Sequence, residues 1–207
     1  MTIRGFSGRQ PTEMKMFTMK IELEGIEPPI WRRIQITSSQ SLWSLHNVIQ
    51  VAMGWTGGHM HEFIIKKVRY GQTDDEADDE ADEINEFYGV EIKEESEVIL
   101  SEVMQTRSRF LYVYDFGDDW RHVIKVEKSE DVHEPLKAWA SIIEGGRNCP
   151  PEDVGGVWGY LELLEIQRRG AKNSDEECFL DMLPEGFDSE GFDLEEAQAV
   201  MEASFAE

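Results

Sequence analysis

Two histidines two positions apart, His59 and His61, have the clearest potential for metal chemistry in this chain. In a β-strand, side chains at alternate positions project from the same face, so both imidazoles would point the same way. Such a pair coordinates a divalent metal when a third imidazole or a carboxylate converges on it. A site at His59, His61 and His122, with Asp115 or Asp119 as ligand or base, would suit a metal-dependent hydrolase-like enzyme. The alternative is that these histidines are packed and hydrogen-bonded within the fold.

A second concentration of reactive groups lies in residues 112–122, where apolar and aromatic residues alternate on both sides of Gly117 and Asp118. This pattern predicts a β-hairpin, either with Gly117 and Asp118 as a two-residue loop or with a longer loop that would change the strand pairing. The two-residue loop would place Leu111, Val113, Asp115, Trp120, His122 and Ile124 on one face, and Tyr112, Tyr114, Phe116, Arg121 and Val123 on the other. Asp115, Asp118 and Asp119 could bind a hard cation or act as general acid and base. The alternative is that these aspartates accept hydrogen bonds from turn amides.

Aromatic residues beside arginine could form a surface that binds another molecule. Trp31 and Trp120 are each followed by arginine, and an exposed indole next to a guanidinium is a good anchor for a protein or nucleotide. The alternative is that these rings belong to the core. The predicted binding surface comprises Trp31, Arg33, Tyr114, Asp115, Asp118, Asp119, Trp120, Arg121, Cys149, Glu152 and Asp153.

Cys149 begins the segment CPPEDVGG, in which the prolines rigidify the turn and the two glycines permit close backbone approach. The segment predicts an ordered loop over one end of the sheet. A nucleophilic role for Cys149 would require a nearby base such as His122 or His133. Cys149 and Cys178 are too few for a disulfide framework or a thiolate zinc site. With no apolar leader or membrane span in the sequence, we expect a cytoplasmic protein.

Negative charge is concentrated in two segments of this chain, whose net charge is −23. Residues 74–83 contain eight acids and residues 173–207 contain twelve, with no base in either, which leaves 23 acids against all 20 Lys and Arg. Acidic segments repel phosphates, so nucleic-acid binding by the whole surface is disfavoured. A local basic face is the one alternative, and its residues would be Arg32, Arg33, Lys66, Lys67 and Arg69.

The elements that would position these groups follow from apolar periodicity. Residues 1–13 are expected to be a flexible lead-in, and residues 14–207 a single α+β domain with an acidic mobile insertion at about 73–97. Strands at 16–23 and 30–37 form a first hairpin, a helix runs from Ser41 to Gly54, and a strand covers 59–70. Helices are expected at 158–169, from Ser174 and from Asp193. The predicted fold has a mixed or antiparallel sheet, a grasp-like hairpin-helix-strand opening, a second hairpin, and C-terminal helices packed on the sheet.

Five separated motifs, in this order, resemble the plasmid pRiA4b ORF-3-like family. They are residues 28–34 (PPIWRRI), 45–55, 59–63 (HMHEF), 112–122 (YVYDFGDDWRH) and 149–160, which begins CPPEDVGG; the pattern at 187–194 also looks like the family's C-terminus. The resemblance implies a compact α+β domain of bacteria and archaea, often near mobile elements and without an established activity. Some relatives carry a resolvase label, but a serine recombinase needs a basic DNA-binding helical module, and this acidic chain has none.

Taken together, the sequence favours a non-enzymatic binding or accessory protein that engages a protein partner and has a connection with mobile elements. The metal-dependent enzyme is the first alternative, with a divalent metal as its cofactor. Nucleic-acid binding through the local basic face is the second.

Overall fold

One eight-stranded sheet forms the centre of the computed structural model, which describes residues 14–73, 92–133 and 138–205. The strands are β1 (Lys15–Leu23), β2 (Trp31–Thr37), β3 (His61–Ile65), β4 (Val68–Gly71), β5 (Ile92–Glu94), β6 (Arg109–Tyr114), β7 (Trp120–Asp131) and β8 (Ala140–Gly146). Their order across the sheet is β5-β4-β3-β6-β7-β1-β2-β8. Neighbouring strands are antiparallel, except that β5 runs parallel to β4. The sheet is therefore mixed, as predicted.

Five helices accompany the sheet in the described residues: α1 (Leu42–Met53), α2 (Leu100–Val103), α3 (Gly156–Arg169), α4 (Ser174–Leu180) and α5 (Leu194–Phe205). The α+β class is confirmed. Helix α5 packs against β8 and α1, which agrees with the prediction of C-terminal helices on the sheet. Strand β8 itself was not anticipated from the sequence. None of the described helices has the length and apolarity needed to span a membrane.

The opening hairpin and helix form as the sequence predicts. Alternation along β1 buries Met19 and Ile21 completely, because one face of the strand meets the core. Ser41 caps α1 by accepting a hydrogen bond from the Ser44 amide at 3.2 Å. Gly54 ends the helix in the left-handed conformation, with φ 79°, which glycine adopts without the strain of a Cβ. These signals fix α1 over the buried face of the sheet.

The strand predicted at 59–70 is two strands instead of one. Strand β3 begins only at His61, and a tight turn at Lys66 and Lys67 leads back into β4. Both lysines have positive φ, 51° and 71°, as the two central residues of a type I′ turn do. This turn suits a two-residue hairpin loop because its twist matches that of the flanking strands. His59 therefore lies before the strand, and the same-face relation expected for His59 and His61 does not apply.

The hairpin of β6 and β7 has a different register from the predicted one. Tyr114 pairs with Trp120, so the loop comprises the five residues from Asp115 to Asp119 instead of the two residues Gly117 and Asp118. Asp115 and Asp119 adopt positive φ, 55° and 53°, and the longer loop moves one strand by one position relative to the other. Consequently Tyr112 and Tyr114 share the buried face with Trp120 and His122.

The acidic run at 74–83 and the lead-in at 1–13 lie outside the described residues. The last part of the predicted insertion is described, and it is well integrated into the fold. Ile92–Glu94 forms β5 at the edge of the sheet, and the next residue, Glu95, is completely buried. The C-terminal acidic segment includes α4, which is capped by Asn173, one residue earlier than the predicted Ser174.

Candidate functional site

Three side chains from separate segments converge beside the tip of the β6-β7 hairpin. His59 Nδ1 lies 3.6 Å from Asp115 Oδ2, and His59 Nε2 lies 3.3 Å from Asp153 Oδ1. One potential metal-ligating atom from each of the three residues lies within 4.8 Å of the others. The side chain of Asp115 is 13% exposed, that of His59 33% and that of Asp153 69%, so the cluster is open on the Asp153 side.

Hydrogen bonds within the hairpin loop hold Asp115 in place. One carboxylate oxygen, Oδ1, accepts hydrogen bonds from the amides of Gly117 and Asp118 at 2.9 and 3.3 Å. The Asp115 amide donates to the Met60 carbonyl at 2.9 Å, which ties the loop to the segment that carries His59. The second oxygen of Asp115, Oδ2, is left facing His59. The predicted role of the aspartates as acceptors for turn amides thus applies to Asp115, yet it uses only half of the carboxylate.

The loop from Cys149 to Gly156 covers this end of the sheet, as expected, and is joined to the hairpin tip. The Gly155 amide donates to Asp118 Oδ2 at 3.1 Å. Gly156 lies so close that a Cβ there would overlap the Asp118 carbonyl oxygen, and its φ is 67°. A side chain at position 156 would therefore separate the two loops.

Glu152 connects the same loop with the core. It accepts hydrogen bonds from the Tyr114 hydroxyl at 2.5 Å and from the Thr56 amide at 3.0 Å. Burial, followed by the hydrogen bond to Glu152, raises the pKa of Tyr114, so its hydroxyl stays protonated and remains a donor. Asp153, which follows Glu152, has a φ of 63° that directs this part of the loop toward His59.

Three large apolar side chains that neighbour this cluster in the sequence are exposed, and they were not identified as a surface from the sequence. Trp158 is 86% exposed, Met60 69% and Phe116 48%. Met60 follows His59, Phe116 follows Asp115, and Trp158 lies in the first turn of α3, directly after the loop joined to the hairpin tip. We call this set of three apolar side chains with His59, Asp115 and Asp153 the tip surface. A sequence signal for the exposure of Met60 was available: in a strand, neighbouring side chains point to opposite faces, so Met60 points away from the core if His61 points into it.

The three histidines predicted as joint metal ligands do not converge. His61 is buried, and its Nε2 lies 2.8 Å from Glu95 Oε1, with side chains only 2% and 0% exposed. Its ring also stacks on His46 at 3.5 Å between centroids. The physical reason is that β3 begins at His61 and directs it into the core, whereas His59 lies outside the strand. The three-histidine ligand set is therefore wrong.

His46 completes a buried polar group that sequence reasoning missed. The Tyr112 hydroxyl accepts from Gln50 Nε2 and lies 2.8 Å from His46 Nδ1, so the hydroxyl proton is available to a neutral imidazole. Burial, followed by the charge of His61, lowers the pKa of His46 to about 3. We call His46, His61, Glu95, Tyr112 and Gln50 the histidine stack. Its members bind each other, although Gln50 Oε1 and Glu95 Oε2 are buried without a hydrogen-bond partner among the described residues.

His122 is completely buried on β7, between Trp55 and Tyr112, with ring centroids 5.3 and 5.5 Å away. Neither of its ring nitrogens has a hydrogen-bond partner of good geometry among the described residues. Burial lowers its pKa to about 4, so the ring is neutral near neutral pH. His122 is a core residue and does not reach the hairpin loop as a ligand.

The predicted binding surface is divided by the sheet. Trp120 is completely buried, so its expected role as an exposed anchor is wrong. Because side chains alternate along a strand, its neighbour Arg121 is exposed instead, and it pairs with Asp119 at 3.0 Å. Trp31 and Arg33 project from the face of the sheet opposite to Trp120, which is also the face of Arg121, and Arg33 bonds Glu127 and Glu144 there. Tyr114 is also completely buried, so its place in the binding surface is wrong as well. The remaining predicted residues near the tip are Asp115, Asp118, Asp119, Arg121, Glu152 and Asp153.

Cys149 and the basic residues have mainly structural contacts. Arg32 is 3% exposed; it donates to the Ala52 and Arg147 carbonyls and lies 3.0 Å from Cys149 Sγ. Burial raises the pKa of Cys149, which opposes formation of a nucleophilic thiolate. Arg69 is paired with Glu62. Of the five residues predicted for a basic face, Arg32 is thus buried, and Arg33 and Arg69 are paired with carboxylates.

Comparison with known proteins gives relatives whose descriptions name no activity. The chain is 37% identical over 151 residues to the uncharacterized protein y4hQ of Sinorhizobium fredii, which covers 71% of this chain and 70% of the relative. The crystal structure of the protein of unknown function MM3350 from Methanosarcina mazei Go1 superimposes with a TM-score of 0.73 at 33% identity, covering 89% of this chain and 97% of the other. The family model described as plasmid pRiA4b ORF-3-like protein matches residues 15–196. The chain therefore belongs to the plasmid pRiA4b ORF-3-like family.

Proposed function

We propose that this protein is a non-enzymatic binding protein that engages a protein partner through the tip surface. The observation that carries the proposal is the exposure of Trp158, at 86%, together with that of Met60 and Phe116. Tryptophan is among the residues that contribute most to binding when an interface buries them. Trp158 is exposed to water on a helix whose other face packs in the core. Burial of its ring by a partner would therefore lower the free energy of the complex.

Pre-organisation of the surrounding loops supports this proposal. The hairpin tip is bonded to the segment before β3 through Met60 and to the following loop through Gly155. Binding to a surface that is already ordered costs less conformational entropy than binding to a mobile loop. Apolar side chains on such a surface therefore retain more of their burial energy as affinity.

The charge around the apolar side chains favours a partner with basic residues. Asp118, Asp119 and Asp153 lie at or beside the hairpin tip, and the nearby cation Arg121 is paired with Asp119. A surplus of carboxylates attracts lysine and arginine and raises association rates at low ionic strength. Proteins encoded by the same plasmid or mobile element are the first candidates, because the family is described by a plasmid protein.

Site-specific photo-crosslinking tests this proposal in the full-length chain. A photoreactive amino acid replaces Trp158, Met60 or Phe116 in turn, and the protein is crosslinked in its source cells. The captured proteins are then identified by mass spectrometry. We expect the same partner at all three positions. Trp158→Ala should then weaken the affinity of the purified complex by about 30-fold, the factor that corresponds to a tryptophan hot spot of about 2 kcal/mol.

Met14 provides a matched control, because it is an exposed methionine, 42% accessible, at the first described position before β1. Met14→Ala should leave the affinity unchanged, whereas Met60→Ala should reduce it. Capture of the same proteins from position 14 as from position 158, or an unaltered affinity for Trp158→Ala, would contradict the tip surface as the binding site.

A further inference from the structure

We propose that His59, Asp115 and Asp153 bind one divalent transition-metal ion, with zinc as the ion that fits the ligands best. This ligand set keeps His59 and Asp115 from the sequence-based hypothesis and replaces His61 and His122 by Asp153. The inference goes beyond the proposed protein partner and does not depend on it, since a metal can bind here whether or not a partner covers Trp158.

Each carboxylate lies at about the distance from one His59 nitrogen that separates two ligands of the same metal ion. Zinc binds imidazole nitrogen and carboxylate oxygen at about 2.0–2.2 Å, so two ligands of a tetrahedral ion lie roughly 3.4 Å apart. The His59 to Asp115 and His59 to Asp153 distances are 3.6 and 3.3 Å. Asp115 faces Nδ1 of the ring and Asp153 faces Nε2. One carboxylate must therefore shift to share an ion with the other, and Asp153, at 69% exposed, has the space to do so.

The charge at this position also favours a cation. Among the described residues, neither Asp115 nor Asp153 forms an ion pair with a lysine or arginine; the cationic partner within reach is His59, when it is protonated. Two carboxylates near each other repel, and a divalent ion would neutralise both. Asp115 is already oriented for this role, because backbone amides bind its Oδ1 and leave Oδ2 toward His59.

The composition of the ligand set indicates the class of metal. One imidazole nitrogen and two carboxylate oxygens suit zinc or manganese better than calcium, which prefers six to eight oxygen ligands. Zinc binds nitrogen and oxygen sites more tightly than manganese. Three protein ligands leave at least one position of the ion open to water or to a group from another molecule.

Equilibrium dialysis of the full-length protein against Zn²⁺ near neutral pH tests the proposal. We expect one ion per chain that requires His59, in addition to weak binding by acidic segments that does not. His59→Ala should remove this ion. His133→Ala is the matched control, because it removes an exposed histidine elsewhere and should retain it. Asp153→Asn, at an exposed position where folding is not in question, should weaken binding at least 10-fold.

Equal zinc binding by the wild-type protein and His59→Ala, or no saturable binding by the wild type, would overturn the metal site. The same result would leave the protein-partner proposal intact if photo-crosslinking from position 158 still succeeds. Conversely, zinc binding that requires His59 without any captured partner would support the metal site alone. Loss of zinc in His133→Ala would show that the ligand set has been assigned wrongly.

Discussion

His59 and His61 stand two positions apart in the chain and have opposite surroundings. His61 lies inside the fold, with its Nε2 bonded to Glu95 and its ring stacked on His46 at 3.5 Å. His59 lies before β3 and is 33% exposed, with a carboxylate near each ring nitrogen. The difference arises because β3 begins at His61, which points into the core, and His59 lies outside the strand. An imidazole can bind a ligand only through a ring nitrogen that the protein has not already engaged.

The histidine stack and the tip surface differ in the same way. In the histidine stack, hydrogen bonds join His46 and Gln50 to Tyr112 and His61 to Glu95, and burial lowers the pKa of His46 to about 3. Buried polar networks of this kind specify a fold, and their disruption is costly. The tip surface leaves carboxylate oxygens and apolar side chains accessible. We therefore expect substitutions in the first region to change stability, and those in the second to change binding.

The largest expected effect is that of Glu95→Ala. It removes one member of a buried hydrogen-bonded pair and leaves the polar ring of His61 without its partner, which costs about 3 kcal/mol, the upper end of the range for an unsatisfied buried polar group. The free energy of unfolding, measured with urea, checks this value. Glu97→Ala is the matched control: this exposed glutamate lies two positions away and should change stability by less than about 0.5 kcal/mol. A similar small loss for both variants would break the distinction between the regions.

The second effect is a pH dependence due to His122. Its pKa in the folded protein is about 4, against an ordinary value of 6.5, because burial disfavours the charged ring. Between these pH values the unfolded chain binds the proton and the folded protein does not, so stability falls as the pH falls from 6.5 to about 4. The full contribution is about 3 kcal/mol, at about 1.4 kcal/mol per pKa unit.

His122→Phe removes this contribution while keeping a ring in the core. Urea unfolding at pH 6.5 and pH 4 should therefore show a smaller loss of stability in the variant than in the wild-type protein. Other titrating groups, including His46, contribute to both proteins and cancel in the comparison. Equal losses in the two proteins would show that His122 does not titrate as a buried neutral ring.

The smallest expected effect on stability is that of Asp153→Asn. This side chain is 69% exposed, and exposed ion pairs contribute little to folding. We expect the free energy of unfolding to change by less than about 0.5 kcal/mol, although the same variant should lose zinc. A loss of several kcal/mol would place Asp153 with the structural residues and remove the contrast with Glu95.

Much of the fold could be predicted because local signals determine it. The alternation in β1, the Ser41 cap and the Gly54 end of α1 each act over a few residues. The hairpin register was missed because Asp115 and Asp119 adopt positive φ, which is uncommon for residues other than glycine. Strand β8 pairs with β2, more than a hundred residues earlier, and such pairing has no local signal.

The candidate site could be predicted only in part. The sequence predicted Asp115 as a possible ligand beside His59 and placed Asp153 in the binding surface, but it also joined His59 to His61 and His122, which lie in the core. His61 binds Glu95, which follows the acidic run, and no periodicity connects the two. Trp120 was assigned to the surface because Arg121 follows it, although alternation in a strand directs neighbouring side chains to opposite faces.

The most direct test of the contrast between these regions is nuclear magnetic resonance of the histidine rings during addition of Zn²⁺. Resonances assigned to His59 should shift or broaden until one equivalent has been added, while those of His46 and His61 stay unchanged. Responses from His46 and His61 with no change at His59 would contradict the account, because the ion would then enter the histidine stack and leave the tip surface without its proposed role.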